Sequence, residues 1–206
     1  MGGERIATGS MDTYAMLSGG SGAAVAAIRA GHSVSVTDTL PLDDRGGAFG
    51  ILAPVNLYGE LMPFRQSEQT IVVEDAAQSH GLRPGCRPGS NDMTCYSFYP
   101  SKNLGAAGQA GALVTNNPDV AAKVRVLRDH GEEGGRFVYP QLSGNYRMDE
   151  LQAAILRAKL PHLADWTYRR QEIARRYNAA FLGQPRIKEP KIHAAHVFHI
   201  YAVSCD

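Results

Sequence analysis

Tyr96-Ser97-Phe98-Tyr99-Pro100-Ser101-Lys102-Asn103-Leu104-Gly105 is the stretch whose residue types most suggest covalent chemistry, because it sets a lone lysine just past a strand-like run. At the end of a buried strand an amine is partly stripped of water. That disfavours its charged form, lowers its pKa and makes it nucleophilic toward carbonyls near neutral pH. Gly105, Gly108 and Gly111 follow, so spacing alone favours the plainer reading of a solvated lysine in a glycine loop. A second stretch, Val73-Glu74-Asp75-Ala76-Ala77-Gln78-Ser79-His80-Gly81, shifts that balance. It puts an acid at the carboxyl end of a predicted strand, where α/β sheets bind ligands. Taken alone, such an acid is more often a helix cap than a cofactor ligand. With a downstream lysine it becomes half of a cofactor site. Pyridoxal phosphate (PLP) is an electron sink only while its ring nitrogen is protonated, and a facing carboxylate keeps it so; Asp75 and Lys102 are the minimum set for that.

Such residues need a scaffold. Short apolar or β-branched runs occur at Ser33–Thr37, Ile51–Val55, Thr70–Glu74, Cys95–Tyr99 and Gly111–Thr115. Near-continuous apolar strands are strands covered on both faces, so the expected fold class is α/β: a mostly parallel central sheet with helices on both faces. Ala23–Ala30 ends at Gly31 and suits a crossover helix. Asn117-Pro118-Asp119 supplies a cap, an N1 proline and an N-terminal acid, and Val120, Val124 and Leu127 follow at helical spacing to about Arg128. Met148, Leu151 and Ile155 begin another stripe, continued beyond Pro161 by Trp166, Ile173, Tyr177 and Phe181, which predicts two consecutive helices. After Pro185 and Pro190, Val197–Val203 has the look of an opening strand. The expected division is a large domain over 1–160 and a bridging helix with the start of a smaller domain over 161–206.

Composition narrows the partners. The chain has 206 residues, 44% hydrophobic and 20% charged, with a formal net charge of +1, enough for a real core and without the basic footprint of a nucleic-acid or membrane-surface binder. Its apolar runs fall far short of the roughly 20 residues of a membrane span. Met1-Gly2-Gly3-Glu4-Arg5 does not open a secretory signal, so the expected compartment is the cytoplasm. Cys86, Cys95 and Cys205 are odd in number and form no C-x-x-C pair; they are expected to be reduced thiols used in packing.

Four motifs in order, V-E-D-A-A-Q-S-H-G, Y-S-F-Y-P-S-K-N-L-G-A, L-R-D-H-G and G-N-Y-R-M-D-E-L-Q-A-A-I-L, resemble the DegT/DnrJ group of nucleotide-sugar aminotransferases, of aspartate aminotransferase fold type I. The resemblance runs from about Gly3 to Tyr201 and is densest over Asp75–Leu160. It implies that Lys102 forms a Schiff base with PLP and shuttles a proton as general acid and base. It further implies that Asp75 pairs with the pyridine nitrogen, Gln78 bonds near the ring hydroxyl and Ser97 donates to the phosphate. Asn145 would reach the phosphate of a neighbouring subunit, so the resemblance implies a homodimer with a shared active site. Tyr14 is a weaker candidate for stacking on the ring, since an aromatic residue at such a point is more often core. The implied substrates are an amino acid, commonly glutamate, and a nucleotide-linked keto sugar. A dehydratase branch carries histidine in place of Lys102 and is disfavoured.

Departures from the family pattern keep a second reading open. The phosphate-cradling N-terminal loop and most of the small domain are expected to lie outside these residues, as in a chain truncated at both ends. Ser18–Gly22 resembles an insertion, Gly108-Gln109-Ala110-Gly111 replaces Gly-Asp-Gly-Gly, Asn56 stands where histidine is usual, and the connection from Tyr58 to Thr70 is short. Backbone amides at helix N-termini are a main source of phosphate affinity. A non-catalytic remnant that keeps only the core and dimer surface is therefore the alternative. His193, His196 and His199 lie three apart; on a strand they would alternate faces, which argues against a shared metal. Arg128, Arg147 and Arg169 could meet phosphate or carboxylate groups, or simply face water.

Overall fold

The computed structural model describes residues 5–9, 34–37, 51–63, 70–82 and 92–205. Tyr14, the Ala23–Ala30 helix, the Ser18–Gly22 cluster and Cys86 lie outside the described residues. The apolar runs assemble into six strands: β1 (Arg5–Gly9), β2 (Val34–Thr37), β3 (Ile51–Pro54), β4 (Ile71–Asp75), β5 (Met93–Ser97) and β6 (Gly111–Thr115). They form one sheet in the order β1-β6-β5-β4-β3-β2. β2 to β5 pair in parallel, while β6 is antiparallel to both β5 and β1. A single reversed strand in an otherwise aligned sheet bears out the mostly parallel fold expected from the apolar runs. β3 is buried along its whole length, as a doubly covered strand should be. β1, not singled out as a strand from the sequence, extends the sheet beyond β6.

Three helices follow: α1 (Pro118–Arg128), α2 (Glu150–Lys159) and α3 (Leu163–Phe181). The predicted cap on α1 is present, with Asn117 Oδ1 accepting from the amides of Asp119 at 2.8 Å and Val120 at 3.2 Å. Asn117→Ala is expected to cost about 1 kcal/mol, read as a small fall in the urea midpoint at unchanged slope. α2 and α3 are separated by a 3-10 turn at Leu160–His162, where Pro161 interrupts the α pattern.

Their inner faces differ from the predicted stripes. On α2 Leu156 is buried while Leu151 is exposed, and on α3 Leu163 and Ala174 are buried while Ile173 and Tyr177 are exposed. The reason is local: α2 lies against a backbone loop, which it meets with polar as well as apolar side chains. Leu156 and Leu163 join Leu104, Ala106 and Ala110 in one core cluster, flanked by Phe98 and Met148. Ala110, at a position where glycine is usual in the resembling family, is fully buried there, so its methyl group fills core space.

The expected strand over Val197–Val203 is not formed. That segment is strapped to its neighbours by single hydrogen bonds: Val197 N to Gly59 O (2.8 Å), Ile200 N to Tyr58 O (3.2 Å), Gln171 Nε2 to His196 O (3.1 Å) and Tyr201 Oη to Asn178 Oδ1 (2.8 Å). Phe198 has φ +48°, which breaks an extended run outright. Short strands do occur on either side of it, β7 (Ile187–Lys188) pairing with β8 (Ser204–Cys205). Cys95 is buried as a packing thiol, but Cys205 is exposed, against expectation. Among the described residues no helix is long and apolar enough to cross a membrane.

Candidate functional site

Asp75, Gln78, Ser97 and Lys102, four of the predicted residues, lie at or just beyond the ends of β4 and β5. These strands run side by side in parallel with Asp75 opposite Cys95, so the Asp75 carboxylate and the Ser97 hydroxyl leave the sheet at the same edge. Asp75 is buried, and its Oδ1 accepts the Ala77 amide at 3.0 Å. It therefore caps a turn rather than the helix expected of a lone acid there. That bond also fixes the carboxylate in one orientation. Its neighbour Glu74 points to the opposite face, as alternation along a strand requires. There it accepts from Asn56 Nδ2 at 2.8 Å and Thr94 Oγ1 at 2.7 Å, while Asn56 Nδ2 also bonds Ser79 Oγ at 2.9 Å.

Gln78 lies in the turn after β4. Its Oε1 accepts the Tyr58 amide at 2.6 Å, which commits the carbonyl end of the side chain and leaves the NH2 end as the donor. Tyr58 and Gly59 both have positive φ, +58° and +92°. A Cβ on Gly59 would lie 2.8 Å from the Gln78 carbonyl oxygen and 2.9 Å from the His199 amide nitrogen, so glycine is what lets this turn wedge between the Gln78 turn and the C-terminal segment.

Ser97 is fully buried, and its Oγ accepts the Tyr99 amide at 3.3 Å, using a lone pair rather than its proton. Beyond it the chain folds into a tight loop carrying Lys102. The loop is closed by Ala106 N to Phe98 O (2.7 Å), Phe98 N to Ala110 O (2.8 Å) and Lys102 N to Tyr99 O (2.9 Å). Gly105 is required there, because a Cβ would stand 2.5 Å from the Pro100 carbonyl oxygen. α2 holds the far side, with Lys159 Nζ donating to Gly105 O and Gln152 Oε1 accepting the Ala107 amide at 2.9 Å.

The Lys102 amine lies within the field of the Asp75 carboxylate. Burial lowers the Lys102 pKa from the usual lysine value, and the Asp75 carboxylate pulls it part of the way back. An amine made easier to deprotonate by desolvation, yet close enough to feel an acid, is what carbonyl chemistry needs. Two imidazoles share the neighbourhood. His80 is buried, with its ring 5.5 Å from that of Tyr96 and 5.6 Å from that of Phe98. Burial pushes it down to about 4, assisted by the charges of Lys102 and His199, with the Ser97 backbone acting in the other direction. Neither ring nitrogen has a hydrogen-bond partner of normal geometry. His199 is likewise pushed down to about 4, first by burial and then by Lys102 and Arg170. His80 carries no role of its own in the motifs, and His199 stands out there only as one of three spaced histidines; their nearness to Lys102 depends on how distant segments meet.

Asn145 is not brought to this cluster. It sits on the exposed loop between α1 and α2, with its backbone bridged to Asp129 and its Oδ1 accepting the Arg147 amide at 3.2 Å. Arg147 forms an ion pair with Asp129. The spaced histidines are separately engaged: His193 with Glu60, His196 stacked on Phe198 and His199 with Asn103. Among the described residues no cluster could hold a metal ion.

The donor set fits a phosphorylated pyridine aldehyde: a buried acid for a basic ring nitrogen, an amide NH2 for a ring oxygen, a hydroxyl near a strand end and a desolvated amine for the carbonyl. Comparison with known proteins agrees with this class of site. The profile of the DegT/DnrJ/EryC1/StrS aminotransferase family matches residues 50–206, and the chain belongs to that family. It is 38% identical over 165 residues to dTDP-3-amino-3,4,6-trideoxy-alpha-D-glucose transaminase of Streptomyces venezuelae, a match that covers 75% of this chain and 43% of the relative. Among solved structures, S. venezuelae DesV in complex with a ketimine intermediate superposes with a TM-score of 0.65 at 33% identity, over 78% of this chain and 46% of that one. NtdA from Bacillus subtilis with bound cofactor PMP superposes with a TM-score of 0.75 at 25% identity, over 98% and 55% respectively. The chain spans less than half the length of the curated relatives it matches.

Proposed function

We propose that this chain carries the core of a PLP-dependent aminotransferase that moves an amino group from an amino acid, glutamate being the family's common donor, to a keto group of a nucleotide-linked sugar. The observation that carries this reading is the desolvated Lys102 amine within the field of a buried, oriented Asp75 at one sheet edge. PLP, when bound, supplies the electron sink that lets a C–H bond beside nitrogen ionise. The chain's own residues bind and steer it. Asp75 would keep the pyridine nitrogen protonated, Gln78 would donate through Nε2 to the ring hydroxyl, and Ser97 would donate to the phosphate. Lys102 would engage the cofactor's aldehyde and, once released, serve as the general acid and base beside it.

Tyr14 would stack on the ring, and Asn145 would serve the phosphate of a second copy in a homodimer. Support for the latter is the loop beside Asn145, where Phe137, Val138, Tyr139 and Leu142 are all exposed, an apolar surface suited to a partner chain. We further place the large domain at 1–160 and the bridging helix with the start of a small domain at 161–206.

Adding PLP to the purified chain is expected to give a visible absorption band that borohydride reduction fixes as a covalent adduct on Lys102, located by peptide mass spectrometry. Lys102→Ala should abolish band and adduct while retaining the parent's far-UV circular dichroism. No adduct at saturating PLP would sink the reading in favour of a remnant that keeps only core and dimer surface.

A further inference from the structure

Asn103, the residue after the lysine, reaches the C-terminal segment with both ends of its amide. Its Nδ2 donates to Val197 O at 3.4 Å, and its Oδ1 lies 3.1 Å from His199 Nδ1. The first contact fixes the amide's orientation, since a carbonyl oxygen can only accept. Oδ1 is then itself a pure acceptor, so His199 Nδ1 must carry the hydrogen. His199 is also neutral around pH 7, because burial and the cations Lys102 and Arg170 disfavour its charged form. A neutral imidazole protonated at Nδ1 presents a bare lone pair at Nε2. Among the described residues nothing donates to that nitrogen, and the ring lies in the field of Lys102.

The surroundings decide what could donate there. An ammonium group would meet the repulsion of Lys102 and Arg170. A carboxylate or phosphate has no proton to give at neutral pH. A neutral hydroxyl suffers neither penalty.

We propose that His199, locked as the Nδ1–H tautomer by Asn103, is a substrate-positioning residue whose Nε2 accepts a hydrogen bond from a hydroxyl of the sugar presented to Lys102. This rests on the aminotransferase reading for the identity of the substrate, but the tautomer lock does not. The lock couples the lysine loop to the segment after α3, so the residue that orients the sugar and the lysine that serves as proton carrier beside it move as one unit. Arg170, which donates to Phe198 O at 3.4 Å, holds the same segment from the side of α3.

Two measurements test it on the full chain. In long-range 1H–15N spectra of histidine-labelled protein at pH 7 without cofactor, His199, assigned by its loss in His199→Gln, should show the Nδ1–H pattern. Asn103→Leu should shift it toward Nε2–H. An Nε2–H pattern in the unaltered chain overturns the proposal whatever becomes of the cofactor chemistry, whereas a failure of the Lys102 reading shows separately as no PLP adduct. In the PLP-loaded chain, calorimetric affinity is compared for dTDP-glucose and UDP-glucose against bare dTDP and UDP. His199→Phe should weaken whichever sugar nucleotide binds by about 3- to 10-fold, the value of one hydrogen bond, and leave the bare nucleotides unchanged. His199→Gln, which keeps an acceptor at similar reach, should recover most of the loss. Equal weakening of bare nucleotide, no weakening of sugar binding, or no recovery with glutamine overturns it.

Discussion

Asn56→Leu is expected to destabilise the fold by about 3 kcal/mol, because it removes the central member of a buried polar network around a carboxylate. Asn56 and Glu74 are each 1% exposed. The Asn56 amide donates to Glu74 and to Ser79, and its Oδ1 accepts the Met62 amide at 3.0 Å. Hydrogen bonds to a charged group are worth about 1.5–3 kcal/mol each, and a buried acceptor left without its donor adds a desolvation cost. Leucine is close in volume, so the loss is one of polarity rather than packing. Glu74→Leu in the Asn56→Leu background should cost less than the two single changes added together, since removing both ends of a buried contact is cheaper than orphaning one. Urea denaturation of the four proteins in the cycle measures this, and strict additivity would show that the two side chains do not act together. The consequence for the site is direct: this network pins the end of β4 from one face, and Asp75 leaves from the other.

The alternation that separates Glu74 from Asp75 was legible in the sequence, as was the fold class. Apolar runs and a capped helix are local signals, and β3 to β6 and α1 formed where those signals pointed. The lysine and its acid were legible for the same reason: each follows a strand whose end defines a ligand edge. Residues that come from elsewhere in the chain were not. Tyr58 reaches Gln78 across 20 positions, and Asn103 reaches His199 across 96. No periodicity encodes such contacts. The strand expected over Val197–Val203 failed for a related reason: its β-branched and aromatic composition is real, but its backbone partners are single carbonyls of the Tyr58-Gly59 turn rather than a neighbouring strand. The stripe on α2 misplaced the inner face because Gln152 and Lys159, which hold the loop around Gly105, do not register as core. Arg128, Arg147 and Arg169 were the arginines that stood out in the sequence, yet it is Arg170 whose charge reaches His199.

Acid should weaken the fold through His80 in a window that can be stated in advance. Folded, this imidazole titrates at about 4, whereas exposed in the unfolded chain it titrates near the ordinary 6.5. Above pH 6.5 both states hold it neutral, and it contributes no pH dependence. As the pH falls from 6.5 toward 4, the unfolded chain binds a proton that the folded chain refuses, so protons favour unfolding; below 4 both states are charged and the slope ends. The loss across the window is about 3 kcal/mol. His199, only half-buried, acts in the same direction but by less, since solvent screens it. Carboxylates titrating in the same range would obscure this in a single curve, and His80→Phe removes the ambiguity. Phenylalanine keeps an aromatic ring between Tyr96 and Phe98 and removes two buried nitrogens that lack partners. At pH 7.5 the variant should match or slightly exceed the parent in stability, and the gap in its favour should widen by about 3 kcal/mol by pH 4. Parallel stability curves for the two proteins would mean that His80 takes up its proton without leaving the fold, and that the space beneath Lys102 is wetter than its packing indicates.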